Sequence, residues 1–229
     1  MDVKDLRYFP KTYWLIGILF VVFIVQLIAL AAGIPFTETL VLDPAAILEA
    51  GWVWGIFTNI FLHGGFAHLF FNCLALFFFG IALERIIGGR NLLKVFLIAG
   101  LFASVFYLVT SVVILDSFVP ALGASGAIFG VIGAMVALRP HTKVIMLLFP
   151  VPMPLWVLAV FFVVIAVAWF GIGGGTGIAE NAHLGGLIIG YVMGWHFKKR
   201  EAKDPDFSWN VVYDVPKQKD PYDWIDEYR

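Results

Sequence analysis

AHLGGLIIGYVMGWHF, residues 182–197, is an apolar run of helical length with His183 near its head and glycines at 186, 190 and 194. Gly186, Gly190 and Gly194 lie 3, 7 and 11 positions after His183 and share its helical face. An imidazole held inside hydrocarbon is expensive, and a small-xxx-small stripe lets a second helix backbone come close. A matching stripe occurs in SGAIFGVIGAMVAL, residues 125–138, where Gly126, Gly130 and Gly133 run beside Ser125. The two helices are expected to touch, with Ser125 and His183 at the open end of the contact.

Outward from this pair, the composition is that of a membrane protein. The 229 residues are 61% hydrophobic and 14% charged, where a soluble domain carries roughly 25% charged residues. Six spans are readable: Tyr13–Ala32, His68–Ile87, Val95–Leu115, Ser125–Leu138, Leu155–Phe170 and Ala182–Phe197. The predicted fold is an all-α, six-helix integral membrane bundle spanning 13–197, preceded by a short segment 1–12 and followed by a polar tail 198–229. The first run ends near Ala29-Leu30-Ala31, a signal-peptide-like site, but exceeds the usual apolar core of such a peptide and is read as a retained helix.

Charge sets the orientation. All fifteen Lys and Arg fall on one side if the amino terminus is inside: Lys4, Arg7 and Lys11; Arg85, Arg90 and Lys94; Arg139 and Lys143; and the seven of the tail. The opposite segments, 33–67, 116–124 and 171–181, carry none. The positive-inside rule therefore places both termini in the cytoplasm and the protein in the cell membrane. The net charge of −1 offers nothing to nucleic acid. The single cysteine, Cys73, excludes an intrachain disulfide and reads as core filler.

Three connections stand out. The first outside loop has Asp43-Pro44 as the cap and first turn of a short helix through Leu48, followed by Trp52, Trp54 and Phe57 at headgroup level. Pro150, Pro152 and Pro154 break any helix between Lys143 and Leu155, so that segment is expected along the cytoplasmic face. Gly171–Gly177 is expected to form a mobile outside connection.

Depth brings the polar groups together. Counted from the basic residue that closes each span, Ser125, His183 and Asn72 stand roughly 21, 22 and 20 Å above the inner interface. In a hydrocarbon layer ~30 Å thick, that is one level on the order of 10 Å below the outer surface. His68 lies one turn above Asn72 on the same face. A serine hydroxyl becomes a nucleophile when a histidine within hydrogen-bond reach takes its proton. The oxyanion formed in acyl transfer needs fixed donors, and His68, the Asn72 amide and the backbone N–H of Ser125 are available. No third acidic member is evident: Glu180 reads as loop and Glu84 lies near the opposite interface. The expectation is a Ser125–His183 dyad.

Gly123-x-Ser125-Gly126, Ala182-His183-x-Gly185-Gly186 and His63-x4-His68-x3-Asn72, in this order on six spans, resemble the rhomboid intramembrane serine proteases over roughly residues 50–197. The resemblance implies Ser125 as nucleophile, His183 as base, and His68 and Asn72 in the oxyanion hole. It also implies no metal and no nucleotide cofactor. The implied partners are the lipid bilayer and the transmembrane helices of substrate proteins, cut near their outer end. A half-embedded first outside loop and a gate at the fifth helix belong to the same expectation. Two departures are visible: Trp54 is followed by Gly55 rather than arginine, and Asn59 stands where some members carry another histidine. Glu84-Arg85 resembles the family's acidic-basic pair and is assigned a structural role, as is His63.

Rival classes are poorly served by the residues. A metalloprotease would show His-Glu-x-x-His on a helix, and the spans contain no aspartate pair for an aspartyl protease. A transporter would show internal repeats or broken helices around a midplane site. A catalytically inactive rhomboid-like protein that binds membrane helices is the nearest alternative, but it is expected to lack the serine or the histidine, and this chain keeps both.

Overall fold

The structure, a computed structural model, describes residues 10–145, 151–172 and 180–203. Helix α1 (Lys11–Ala31) buries Thr12, Leu15, Leu19, Phe23, Gln26 and Ala29, spaced three or four apart. Trp14, Ile18, Val21 and Ile28 on its other faces stay exposed, an outer surface suited to lipid rather than water. Four short pieces follow: α2 (Phe36–Leu40), α3 (Pro44–Ala50), α4 (Gly55–Thr58) and a 3-10 turn, Asn59–Phe61. Asp43 caps α3 as its sequence predicts, accepting from the N–H groups of Ala45 and Ala46. Gly51 ends α3 at φ +71°, a left-handed stop that glycine adopts without strain.

Next come α5 (Phe66–Ala75), a π-helical turn (Leu76–Gly80) and α6 (Ile81–Ile87), which together form one continuous span. Gly88 at φ +78° breaks the chain before α7 (Gly89–Val109), which ends in a second π-turn, Thr110–Ile114. The third span thus begins at Gly89 rather than Val95. Arg90 and Lys94, expected in a loop, ride on its first turns, because the left-handed glycine and not the first apolar residue sets the boundary. Phe66–Ile87, Gly89–Ile114 and α1 are the described helices long and apolar enough to cross a membrane.

Helix α8 (Ser125–Leu138) is the centre of the bundle, with eleven of its fourteen residues buried. It packs against α7, α9 (Leu155–Ile172) and, most extensively, α10 (Glu180–Lys203). The α8–α10 contact is backbone on backbone. A Cβ on Gly190 would lie 2.6 Å from the Cα and carbonyl carbon of Gly130, and one on Gly186 2.9 Å from the carbonyl carbon of Gly126. The paired stripes meet as the sequence predicts.

Two boundaries of α10 differ from expectation. It starts at Glu180, before the apolar pattern, and it continues beyond Phe197 to Lys203, so the first residues assigned to the tail are helical. Lysine and arginine at a helix carboxyl end suit both propensity and the dipole. Lys198 Nζ donates to the Ala137 carbonyl at 3.3 Å, and Lys199 lies over the Trp195 ring. Between α8 and α9, two-residue strands β1 (Lys143–Val144) and β2 (Met153–Pro154) pair antiparallel, a small exception to the all-α expectation. The rest of the proline segment (146–150), the glycine connection from 173 to 179 and the tail from 204 lie outside the described residues.

The foot of the bundle is tied by Glu84. Its carboxylate accepts from the Lys11 N–H at 2.7 Å, the Thr12 N–H at 2.9 Å and the Thr12 hydroxyl at 2.6 Å. Those amides are among the orphan donors of the α1 amino terminus, where a negative charge also meets the favourable end of the helix dipole.

Candidate active site

Ser125 is the first residue of α8, a helix only ~21 Å long and so shorter than a hydrocarbon layer of ~30 Å. His183 sits in the first turn of α10. With the two glycine stripes in backbone contact, Ser125 Oγ and His183 Nε2 come within 2.8 Å, the reach needed for proton transfer. Phe129, one turn after Ser125 on the same face of α8, stacks on the His183 ring with centroids 4.4 Å apart and planes 13° apart. That contact fixes the imidazole plane. The signal for it in the sequence is an aromatic four residues after the serine, outside the Gly123-x-Ser125-Gly126 motif.

Glu180 corrects a sequence expectation. It is not in a loop but opens α10, and its Oε2 lies 3.2 Å from His183 Nδ1. The apolar pattern begins two residues later, which hides the helix start. Acidic residues are favoured in a first turn, and Asn181 is admitted to the buried interface because its amide donates to Thr110 Oγ1 at 2.7 Å and Ser111 Oγ at 3.0 Å.

The serine approach is shaped by Gly123 at φ +131°. A Cβ there would lie 2.8 Å from the Cε1 and Nε2 atoms of the His68 ring, so the imidazole is seated directly on the turn that leads to Ser125. The Gly64 N–H donates to His68 Nδ1 over a long 3.4 Å. That contact leaves Nε2, the nitrogen toward Gly123, to carry the ring proton. Asn72, one turn along α5, is buried, and its Nδ2 has no hydrogen-bond partner among the described residues. An unsatisfied buried amide donor is costly unless something else is meant to accept from it.

Asn59 proves to be scaffold. Its Nδ2 donates to the Gly55 carbonyl, the Ile56 carbonyl and Ser104 Oγ, and its own carbonyl accepts from the Gly123 N–H at 2.9 Å. Gly55, where the resemblance would place an arginine, tolerates no side chain: a Cβ would be 2.5 Å from the Val41 carbonyl oxygen. His63, in the loop before α5, is buried and packs edge-on to His68 at 5.1 Å. Burial first, and the neighbouring His68 second, lower its pKa from 6.5 to about 4. A small cavity of about 20 Å³, lined by Asn59, Ser104, Gly123, Ser125 and Ala182 among others, has room for about one water molecule. A far larger apolar cleft of about 570 Å³ between α8, α9 and α10, lined by residues such as Trp156, Val163 and Lys198, involves none of these groups.

The Rhomboid domain family matches residues 50–200, the region that carries Ser125, His183, Glu180, His68 and Asn72. The chain belongs to the rhomboid family. Among its relatives it is 36% identical to "Rhomboid protein 1, mitochondrial" of Saccharomyces cerevisiae, over 65% of this chain and 43% of that one. It is 34% identical to "Rhomboid protease GluP" of Bacillus subtilis, over 79% and 33% respectively. "RHOMBOID-like protein 4" of Arabidopsis thaliana shares 30% identity over 73% and 39%. The matched regions thus cover a third to under a half of these relatives' lengths. Family and apolar helices together make this rhomboid chain an integral membrane protein.

Proposed function

We propose that this rhomboid protein is a serine endopeptidase that cuts transmembrane segments of other membrane proteins near their outer end. The observation that carries the reading is the 2.8 Å contact between Ser125 Oγ and His183 Nε2 at the heads of two helices locked through glycine. Relatives named as proteases support it. In this account Ser125 gives its proton to His183 Nε2 as Oγ attacks the peptide carbonyl. The oxyanion accepts from the Ser125 N–H, His68 Nε2–H and Asn72 Nδ2, a donor with no other partner among the described residues. His183 then hands the proton to the leaving amine, and a water, deprotonated by the same nitrogen, releases the acyl-enzyme.

The membrane arrangement belongs to the same proposal. Helices α1, α5 with α6, α7, α8, α9 and α10 form six spans with both termini inside. The loop from 33 to 67 lies half-sunk in the outer leaflet, which suits its exposed Trp52, Trp54 and Phe57. The thinly packed α9 gates the entry of substrate helices.

The test is labelling of the purified protein with a fluorophosphonate, followed by mass mapping and by cleavage of a transmembrane-helix substrate. Label is expected at Ser125, and Ser125→Ala and His183→Ala are expected to be equally inactive while remaining folded. Cleavage retained by purified Ser125→Ala refutes the assignment.

A further inference from the structure

We infer that Glu180 is a positioning residue for His183, so that Ser125, His183 and Glu180 act as a three-member chain in place of a bare dyad. The inference rests on the protease reading above. Both ring nitrogens of His183 are engaged: Nε2 with Ser125 Oγ at 2.8 Å and Nδ1 with Glu180 Oε2 at 3.2 Å. An ionised carboxylate only accepts, so this contact keeps the ring proton on Nδ1 and leaves the Nε2 lone pair facing the serine. No other partner for Nδ1 is found among the described residues.

Electrostatics gives a second reason for a carboxylate at this position. His183 lies in the first turn of α10, where the helix dipole opposes the positive charge that the ring acquires on taking the serine proton. The Glu180 charge offsets that opposition at close range. Their side chains are only 14% and 18% exposed for His183 and Glu180 respectively, so the pair is screened far less than a surface pair.

The anchoring is independent of the pair itself. Asn181, the next residue, ties this turn to Thr110 and Ser111 of the α7 π-turn. Phe129 holds the ring plane from α8. The carboxylate therefore meets an imidazole that has little freedom to turn away.

Glu180→Gln separates charge from shape, because glutamine keeps the length and an accepting oxygen. In the purified full chain, kcat on a transmembrane-helix substrate is expected to fall about ten- to a hundredfold, with KM and melting temperature unchanged. The rate of fluorophosphonate labelling at Ser125 is expected to fall in step. Glu180→Asp, which retains the charge on a shorter stem, is expected to lie between wild type and Glu180→Gln. If Glu180→Gln fails to fold, Glu180→Asp carries the test, and a labelling rate equal to wild type then overturns the inference. Wild-type kcat and labelling rate in folded Glu180→Gln, or a rise in KM alone, also overturns it. Wild-type protein that takes no label at Ser125 removes the protease reading and this inference together, whereas labelled wild type with equally labelled Glu180→Gln removes only the role of Glu180.

Discussion

Gly190→Ala perturbs the helix contact without touching the chemistry. Position 190 is seven residues from His183, roughly 10 Å along α10. The added Cβ would stand 2.6 Å from the Cα and carbonyl carbon of Gly130 and closer still to its carbonyl oxygen. Moving 2.6 Å out to the 3.4 Å where ordinary contact begins takes at least 0.8 Å of separation between α8 and α10. All three atoms met are backbone, so no rotamer can yield. Overpacking of this kind costs about 1–3 kcal/mol, against which alanine returns about 0.5–1 kcal/mol of helix propensity. The net expectation is a loss between about 0 and 2.5 kcal/mol, centred near 1 kcal/mol. Passed along a stiff helix, the same separation stretches the 2.8 Å Ser125–His183 bond to about 3.6 Å, past hydrogen-bond reach. A misplacement near 1 Å lowers turnover about a hundredfold. The assay pairs thermal melting in detergent with the rate of fluorophosphonate labelling at Ser125. Gly17→Ala is the control, since a Cβ there meets nothing within 4 Å on the exposed side of α1; it should label normally. Gly190→Ala that melts with wild type and labels at the wild-type rate would falsify the backbone-contact account.

Other outcomes follow from single groups. Asn72→Ala should lower kcat with a barrier increase of roughly 3 kcal/mol or less. Its melting temperature should hold, because Nδ2 bonds to nothing among the described residues; a drop in melting with intact kcat speaks for a structural amide instead. Glu84→Ala strands the Lys11 and Thr12 amides and the Thr12 hydroxyl and should destabilise by about 1–3 kcal/mol. The folded fraction should still label normally, and unchanged melting counts against the cap. His63, held near 4 against an ordinary 6.5, is neutral in the folded protein where the unfolded chain binds a proton. Its contribution is complete above pH 6.5 and is lost as the pH falls toward 4, by at most about 3 kcal/mol. Melting scans at pH 7 and 4.5 should show a smaller acid-induced loss in His63→Leu than in wild type, and equal losses remove His63 from the account.

Much of this protein was legible because bilayers make sequence speak in lengths and periods. Ser125–Leu138 begins and ends where its apolar pattern does, and the Gly126/Gly130 and Gly186/Gly190 stripes meet as their spacing demands. Depth alone put Ser125 and His183 at one level, since helical rise is fixed and the hydrocarbon has a set thickness. The Asp43 cap was equally local. Partnership was not. Glu180 looked like loop because a polar turn can enter a buried interface only when its neighbour Asn181 finds Thr110 and Ser111, seventy residues away in sequence. Asn59 read as a departure from the family pattern, yet it holds Gly123 through its carbonyl and Ser104 through its amide. Phe129 is one more apolar residue on a helix until α10 lays His183 flat against it. Local chemistry and helical rise thus decided what each helix is and which of its polar groups stand at one level. Which atoms those groups touch depended on contacts between distant segments, because a hydrogen bond discriminates within a few tenths of an ångström while a periodic pattern resolves only a face.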